Sequence, residues 1–439
     1  MSATTAHLDP LKGALSTLSR HVGLSTNTDQ ERLDKARTVM LSELDAAQAT
    51  YLETCIHCGM CAEACHFYLG THDAKYTPIW KVEPLKKVYQ RELGPMRWLQ
   101  RMVVPDITLS ELAAWQPLVY DACTECGRCD LMCPMGIQIS PLIGIMRRAL
   151  AAADLLPAEL AGAADEQKKQ GSVLGAGRGE LLALARDLEA GGIPVPLDLP
   201  AADVVLLTSA LDVKAFPGSL KATARILNRL KLRWTLLSHS IDLLGTGESL
   251  KELRVRRIVD ETVRLGAKTL LLPECGHAYP ALRFDSAHMI GEALPFEVYS
   301  IAEFVGREIM DGRLKVRPEP GGGTVTYHDP CKIGRHGGVF EEPRAAIRAL
   351  GLDLKEMESH GRTNYCCGVG GGQFMIERAA PLRQRAFEIK MREVDDTGAP
   401  KVLTACNSCR LNYQNGAAEA NWQKSIESLV EHVAANLAD

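Results

Sequence analysis

The chain has 439 residues, of which 46% are hydrophobic and 24% are charged, so two or three globular domains with sizeable cores are expected. Its 50 basic and 54 acidic residues nearly balance, which gives no general case for nucleic-acid binding. No apolar run is long enough to span a bilayer, and the N-terminus lacks the pattern of a secretory signal. These features predict a cytoplasmic protein with no transmembrane segment of its own.

Residues 1–50 are predicted to form an N-terminal helical extension, and residues 51–155 an α-helical ferredoxin domain. The stretch 83–102 is predicted as helix, and Ser110 as the cap of the helix that follows. The region before this second helix is basic, which predicts a solvated helix face, with partner docking as the alternative. Its basic residues are Lys75, Lys81, Lys86, Lys87, Arg91, Arg97 and Arg101.

The ferredoxin domain is defined by two cysteine runs, CIHCGMCAEAC from residue 55 and CTECGRCDLMCP from residue 123. Fourteen cysteines are many for a chain in a reducing compartment, where clustered cysteines indicate metal rather than disulfides. Both runs have the C-x2-C-x2-C-x3-C spacing of ferredoxin 4Fe–4S clusters. A pair of zinc knuckles is the alternative, but zinc sites usually take four ligands from separated pairs.

In ferredoxin runs, three cysteines bind one cube and the fourth binds the cube of the other run. The sequence therefore predicts two cubane 4Fe–4S clusters with exchanged remote ligands. Gly59 and Gly127 occupy the same place in the two loops, where an unusual backbone angle is expected. The predicted ligands are Cys55, Cys58, Cys61 and Cys133 for the first cube, and Cys123, Cys126, Cys129 and Cys65 for the second.

Residues 156–200 show little periodicity beyond one short helix and are predicted as a linker. Beyond them, short apolar strands alternate with amphipathic helices, which predicts parallel sheets covered by helices. The order occurs twice, so two repeated modules are expected, at 201–318 and 319–439. The predicted fold class is α/β plus all-α, with a helical ferredoxin domain followed by two α/β modules.

The second module contains five cysteines on loops predicted to follow strands, where open α/β sheets bind ligands. Five converging thiolates predict an iron–sulfur cluster, because a fifth ligand is awkward for tetrahedral zinc. Glycines after the adjacent pair would let the backbone approach the metal and donate N–H groups, and a helix starting there would direct its positive end toward the cluster. The cysteines are Cys331, Cys366, Cys367, Cys406 and Cys409, and the glycines are Gly368, Gly370, Gly371 and Gly372.

The first module lacks this cysteine set and has the sequence SHS, residues 238–240, where the adjacent pair should fall. It keeps one cysteine, Cys275, in the segment PECGHAYPALR. Because the two modules should face each other, Cys275 and His277 are expected to border the cluster. The alternative for Cys275 is an inert core residue.

The pattern of Cys331, Cys366–Cys367–Gly368 and Cys406-x-x-Cys409 resembles the CCG domain of heterodisulfide reductases. A ferredoxin domain ahead of two such modules resembles their D-type subunit. The segments PECGHAYPALR, YHDPC, YCCGVGGG and YTPIWK are most similar to the DsrK/TmcB branch, whose DsrK-like members are subunits of DsrMKJOP membrane complexes. The resemblance covers the chain from about Thr54 onward.

The resemblance implies that the CCG cysteines bind one noncubane 4Fe–4S cluster, at which a disulfide or trisulfide on a DsrC-like sulfur-carrier protein is cleaved or formed. It also implies a membrane haem-b subunit and other complex subunits as partners, which would attach the chain peripherally to the inner membrane. Cys275, His277 and His328 are then the candidate catalytic residues. The histidines are candidate proton donors, although a hydrogen bond to the cluster is the favoured role of His328.

Two other functions stay open from the sequence. Similar two-part chains relay electrons from a flavin dehydrogenase of the glycerol-3-phosphate or glycolate type to quinone. A zinc-bound assembly factor is the third hypothesis, and it would be redox-silent.

Overall fold

The computed structural model describes residues 27–241 and 248–438, and it divides the chain into two compact units. The helical unit contains the described residues from 27 to 161 together with Tyr365–Lys390. The sheet unit contains Gly162–Asn364 and the residues from Met391 onward. The first 26 residues of the predicted N-terminal extension lie outside the described part of the chain.

The helical unit is built from short helices whose first turns are capped by their own sequence. Thr28 and Glu31 form a capping box at the start of the first helix, and Asp45 and Gln48 form another at the second. The helices are α1 (Asp29–Ser42), α2 (Ala46–Thr54), α3 (Met60–Glu63), α4 (His66–Leu69), α5 (Glu83–Glu92), α6 (Arg97–Val103), α7 (Leu109–Tyr120), α8 (Arg128–Met132) and α9 (Ile139–Ala152). Two 3₁₀ helices, Ala74–Tyr76 and Pro78–Val82, precede α5.

Two predictions for this unit are wrong in detail. The single helix expected over 83–102 is two helices, because Gly94 and Pro95 interrupt it and Met96 has a left-handed backbone with φ of 55°. Ser110 is not the cap of α7. Thr108 is the cap, since its side chain accepts the N–H of Glu111 at 3.1 Å.

Residues 158–310 contain the first sheet and the helices around it. The elements are α10 (Ala158–Gln170), α11 (Arg178–Ala190), β1 (Val204–Thr208), α12 (Ala210–Lys214), α13 (Pro217–Arg229), β2 (Trp234–Ile241), α14 (Glu248–Arg264), β3 (Thr269–Leu272), α15 (Ala278–Pro280), α16 (Ser286–Ile290), β4 (Glu297–Ser300) and α17 (Ile301–Met310). The predicted linker therefore carries two helices, α10 and α11, where the sequence indicated one.

The rest of the chain contains the second sheet. Its elements are β5 (Thr324–His328), α18 (Glu341–Ala349), β6 (Asp353–Leu354), α19 (Ala380–Asp396), β7 (Lys401–Thr404), α20 (Asn407–Glu419), β8 (Ser425–Ser428) and α21 (Leu429–Ala435). No helix within residues 27–241 and 248–438 is long and apolar enough to cross a membrane.

The two sheets have the same topology, which confirms the predicted fold class of a helical region followed by two parallel α/β modules. The strand orders are β2-β1-β3-β4 and β6-β5-β7-β8, and every pairing is parallel. Strand β1 is buried along its whole length, as expected of a central parallel strand covered on both faces. Strand β1 is a neighbour of β3 in the first sheet, and β5 is a neighbour of β7 in the second. Because both pairs are parallel, the loops that follow the two strands of a pair leave from the same edge of the sheet.

The two modules of the sheet unit pack through equivalent helices in a reciprocal manner. Helix α13, after β1, packs on α21, after β8, and α17, after β4, packs on α18, after β5. Gly306 lies where α17 and α18 cross, and a Cβ there would lie 2.4 Å from both Cβ and the backbone oxygen of Glu342. A side chain at residue 306 would therefore separate the two helices.

The change Gly306→Ala is expected to destabilise the chain by about 1–3 kcal/mol, because the added methyl group overpacks this crossing. Thermal unfolding of the full chain measures the effect. Gly179→Ala in α11 is the matched control, since a Cβ there meets nothing within 4 Å. Equal melting temperatures for the two variants would contradict the assigned crossing.

Candidate iron–sulfur centres

The two ferredoxin-type loops share one backbone conformation. The residues on either side of each second cysteine have positive φ, with 54° at His57 and 80° at Gly59 in the first loop, and 52° at Glu125 and 74° at Gly127 in the second. Each loop then enters a short helix, α3 or α8. The glycine conformations agree with the sequence analysis. The left-handed His57 and Glu125 were missed, because non-glycine residues rarely adopt that conformation.

The four thiols predicted to bind the first cube line one cavity that opens to solvent. Burial raises the pKa of the Cys61 thiol, and the neighbouring thiols of Cys55, Cys133 and Cys58 raise it further. The remaining lining is largely apolar. The cavity is lined by Cys55, Ile56, His57, Cys58, Gly59, Cys61, Ile79, Cys133, Pro134, Met135, Ile137 and Ile139.

The four thiols predicted to bind the second cube are also grouped. Burial raises the pKa of the Cys129 thiol well above its ordinary value, and the Asp130 carboxylate and the thiols of Cys126, Cys123 and Cys65 add to the rise. Asp130 itself fixes the chain beyond the loop, since its Oδ1 accepts the N–H groups at residues 139 and 140 at 2.6 and 2.8 Å. Grouped thiols in partly buried sites fit a metal–sulfur cluster, because a coordinated metal stabilises the thiolate that burial disfavours.

The adjacent cysteines Cys366 and Cys367 lie in the helical unit and are only 1% and 3% exposed. They follow a 3₁₀ turn, Gly361–Thr363, rather than a strand as predicted. The α-helix expected immediately after them is also absent from this described loop. A 3₁₀ segment, Gly370–Met375, stands there, and α19 begins only at Ala380.

As the sequence predicts, the glycines after the pair let the backbone approach other groups closely. The groups that it approaches are other residues of the protein. The N–H of Gly368 donates to the Sγ of Cys366 at 3.4 Å. A Cβ at Gly370 would lie 2.7 Å from the backbone oxygen of Thr124, in the second ferredoxin loop. Gly371 has φ of 63°, and a Cβ on it would meet the Arg147 guanidinium at 2.4 Å. The glycines therefore let this loop lie against the second ferredoxin loop.

Arg147 joins these two loops through its buried guanidinium. Its Nη2 donates to the backbone oxygen of Cys123 at 2.6 Å, and its Nη1 donates to that of Gly371 at 2.8 Å. Arg128, which follows the second loop's glycine, stacks over the ring of Tyr365 at 3.7 Å from its centroid. The loop of the adjacent pair is thus fixed on the second-cube side of the helical unit.

The His66 imidazole is buried beside the same loop. Burial lowers its pKa to about 4, while the thiols of Cys126 and Cys367 oppose that shift. Its Nε2 has no hydrogen-bond partner among the described residues. The ring is therefore neutral at pH 7. It is next to Cys126, a predicted ligand of the second cube, and to Cys367 of the adjacent pair.

The other three cysteines of the five lie in the sheet unit, at the carboxyl edge of the second sheet. Cys331 follows β5 and Cys406 follows its neighbour β7, so both reach the same edge. Cys406 is the N-cap of α20, and Cys409 lies in the first turn of that helix. All three are buried, with exposures of 7%, 4% and 4%. This edge is where an open parallel sheet binds its ligands.

His328, the last residue of β5, is completely buried at this edge. Its Nδ1 lies 3.1 Å from the hydroxyl of Tyr413, which is one turn of α20 beyond Cys409. A ring nitrogen of His328 and the Sγ of Cys409 lie within 4.8 Å of each other. The strand and the helix thus hold the imidazole in one orientation beside a thiol.

Asp329 fixes the loop that leads from β5 to Cys331. Its carboxylate pairs with both terminal nitrogens of Arg344, at 2.9 and 3.0 Å, and accepts the N–H of Gly361 at 2.7 Å. Its backbone oxygen accepts the side-chain amide of Asn364 at 2.6 Å. The segment Gly361–Asn364 ends just before the adjacent cysteines. It is therefore anchored to Asp329, which lies two residues before Cys331.

The PECGH segment of the first module contacts the Cys406 loop, as expected for facing modules. The N–H of Asn407 donates to the backbone oxygen of Glu274 at 2.7 Å. A Cβ on Gly276 would lie 3.5 Å from the Sγ of Cys406. Cys275 is half-buried, as is His277.

Glu274 is a residue that the sequence analysis missed, and it joins the two modules. Its carboxyl group accepts hydrogen bonds from the hydroxyls of Ser219 at 2.7 Å and Ser428 at 2.8 Å, one from each module. The Asn407 amide extends this network, since it donates to Asp212 at 2.8 Å. Burial raises the pKa of Glu274 to about 7. Nothing in a single sequence indicates that a glutamate before a cysteine is buried.

In the first module, Ser238 and His239, which stand where the cysteine pair should fall, have other partners. Ser238 lies inside β2, and its hydroxyl donates to Asp198 and accepts from Arg178 at 2.7 Å. His239 lies 3.7 Å from the same Asp198 carboxylate. These side chains form a polar cluster of the first module.

Comparisons with known proteins agree with this geometry. Residues 51–137 match the family model of the 4Fe-4S dicluster domain, and residues 325–414 match that of the CCG cysteine-rich domain. The chain is 28% identical over 419 residues to the D-type subunit of the heterodisulfide reductase of Methanosarcina acetivorans, and the match covers 91% of this chain and 97% of that protein.

Two further relatives match more than four fifths of this chain. An Hdr-like menaquinol oxidoreductase iron–sulfur subunit of Archaeoglobus profundus is 26% identical, covering 83% of this chain and 75% of that one. An EtfAB:quinone oxidoreductase of Syntrophomonas wolfei is 28% identical, covering 86% of this chain and 56% of that one. These findings confirm the resemblance predicted from the sequence, which is to heterodisulfide reductase D-type subunits and CCG-domain iron–sulfur proteins.

The raised pKa of Glu274 predicts a stability that depends on pH. Below its ordinary value of 4.5 the carboxyl group is protonated in both states, and between 4.5 and about 7 only the folded state keeps the proton. Its contribution is therefore full at low pH and is lost as pH rises through 7, by on the order of 3 kcal/mol. Glu274→Gln, which stays neutral, should gain melting temperature relative to the wild type between pH 5 and pH 8.

The matched control for this measurement is Glu297→Gln, whose side chain is 67% exposed. It should follow the wild-type curve at every pH. A constant difference between Glu274→Gln and the wild type from pH 5 to pH 8 would show that Glu274 does not titrate as described.

Proposed function

We propose that this chain is the iron–sulfur catalytic subunit of a heterodisulfide reductase-like oxidoreductase. It reduces or forms a disulfide or trisulfide on a DsrC-like sulfur-carrier protein, as in the DsrK/TmcB branch. The observation that carries the proposal is the single complete CCG set. All five of its cysteines are buried and lie within the matched domain, whereas the first module has a serine–aspartate cluster instead.

The proposed ligands of one noncubane 4Fe–4S cluster are Cys331, Cys366, Cys367, Cys406 and Cys409. Two cubane clusters with the exchanged ligand sets complete the proposed cofactors. When bound, the clusters would supply one-electron transfer and an iron that can take a substrate sulfur.

The PECGH segment would contact the sulfur substrate. Cys275 and His277 are both half-buried on a loop that lies against Cys406, so they remain accessible beside the proposed cluster ligands. Cleaving a sulfur–sulfur bond leaves a thiolate that must be protonated, and His277 is the proposed donor. His328 is completely buried and held by Tyr413, which favours a fixed hydrogen bond to the cluster.

An exposed apolar segment supports docking to a membrane haem-b subunit and other partners. Helix α6 has no buried residue, even though it carries large apolar side chains. Of these, Trp98, Met102 and Val103 are 66–71% exposed. Leu93 and Met96, just before the helix, are also more than half exposed. Large exposed apolar side chains that lie this close together in the chain are typical of a protein or membrane contact. Through it the chain would attach peripherally to the inner membrane.

The electron relay is the second candidate function. It is favoured by the similarity to an EtfAB:quinone oxidoreductase, a protein named for linking EtfAB to quinone. In that case the chain would pass electrons between a flavin dehydrogenase and quinone without acting on sulfur. The same clusters would be present, so only the substrate distinguishes the two functions.

The experiment is turnover of the double variant Cys366→Ala and Cys367→Ala with a DsrC-type disulfide or trisulfide and a reduced dye as electron donor. The variant should lose at least about 100-fold in rate while both cubes keep their EPR signals on reduction, because the pair is outside both cube ligand sets. The exposed Thr363→Ala change in the preceding turn is the control, and it should keep full turnover.

Retained turnover in the double variant would contradict the catalytic assignment. Flavoprotein-dependent quinone reduction by the wild type, with no sulfur turnover, would establish the relay instead.

A further inference from the structure

Lys81, in the YTPIWK segment, is buried rather than part of a solvated basic face. It is 1% exposed on the 3₁₀ helix Pro78–Val82, so the sequence-based assignment of this lysine to the exposed basic face is wrong. Lys75, six residues earlier, is exposed as predicted and pairs with Asp73 at 2.8 Å. The two lysines of one short segment thus have opposite environments.

The Nζ of Lys81 lies among residues of the second cube site. It donates to the backbone oxygen of Ala122 at 2.5 Å and lies 3.9 Å from the Sγ of Cys65. Ala122 directly precedes Cys123 in the second cysteine run. Cys65 and Cys123 come from the two different runs, and they share the ligand set predicted for the second cube.

Among the described residues, no carboxylate pairs with Lys81. An ammonium group has three donors and a full charge, and burying it without an anion is costly. One carbonyl oxygen satisfies a single donor and neutralises no charge. The anion that the site calls for is the thiolate set that gathers around Cys65 and Cys123.

We infer that Lys81 is the buried charge partner of the second cube and raises its reduction potential. Reduction adds one negative charge to the site, and a fixed cation at this distance favours that added charge in a low-dielectric environment. The cavity of the first four thiols has no lysine or arginine in its described lining. The inference rests on the proposed cube ligand sets but not on the sulfur substrate.

The assignment gives the second cube a place in the electron path. Its loop is joined by Arg147 to the loop that carries Cys366 and Cys367. A cation that raises the potential of this cube favours its reduced state next to that loop. The solvent exposure of Cys58 also affects the first cube, so the test compares variants of one cube rather than the two cubes.

The test is an EPR-monitored redox titration of the anaerobically purified full chain without sulfur substrate, with iron counted on each sample. Lys81→Met should lower the midpoint potential of one cube so that its reduction equilibrium constant falls at least tenfold, about 59 mV for one electron. The other cube should stay unchanged. Lys75→Met makes the same charge change at an exposed residue and should shift neither cube.

Two further variants make the result decisive. Cys126→Ser alters the EPR signal of the second cube only and so identifies which signal Lys81→Met should shift. Lys81→Arg keeps the charge and should keep the wild-type potential, even where Lys81→Met loses its clusters.

An unshifted midpoint in Lys81→Met at full iron content would overturn the inference. A tenfold or larger fall in Lys81→Arg would overturn it too, because charge would then not be the cause. Fewer than two reducible cubes in the wild type would instead refute the proposed ligand sets on which the inference rests.

Discussion

The grouping of cysteine thiols in partly or fully buried sites is the constraint on which the rest of this structure depends. Burial disfavours the thiolate, as the raised pKa values of Cys61, Cys123 and Cys129 show. A group of buried thiols is useful only if a metal and nearby cations or N–H donors stabilise the ionised form. The structure provides such groups unevenly, with Lys81 and Arg147 beside the second cube site and a largely apolar lining at the first.

The second constraint concerns the sheet unit. Its two modules must hold their loops in fixed positions relative to each other through noncovalent contacts. Reciprocal helix packing brings the modules together, and the hydroxyls of Ser219 and Ser428 meet on one buried carboxyl group, that of Glu274. Because Glu274 directly precedes Cys275, and its backbone oxygen binds the residue after Cys406, the same network that joins the modules also sets the edge of the proposed catalytic site. Stability and site geometry are therefore coupled in this pair of modules.

Much of the fold could be predicted from the sequence, because periodicity and repeated order are strong signals. The two parallel sheets follow from the alternation of strands and helices, and the left-handed Gly59 and Gly127 follow from the spacing of the two cysteine runs. The burial of Lys81 could not be predicted, since lysines are mostly exposed and nothing local distinguishes it from Lys75. Two capping residues two positions apart, Thr108 and Ser110, look alike in sequence, and only the structure shows which one accepts a backbone N–H. The packing of the adjacent-pair loop on the second ferredoxin loop depends on contacts between residues far apart in the chain.

The central claim is that the five CCG cysteines bind a third, noncubane cluster. The most direct measurement is EPR of the anaerobically purified chain, first reduced and then oxidised, with iron counted on the same sample. The account predicts about twelve irons per chain, from three clusters of four, and a paramagnetic signal that appears on oxidation. About eight irons, with signals only on reduction, would contradict it and leave two cubes that serve an electron relay.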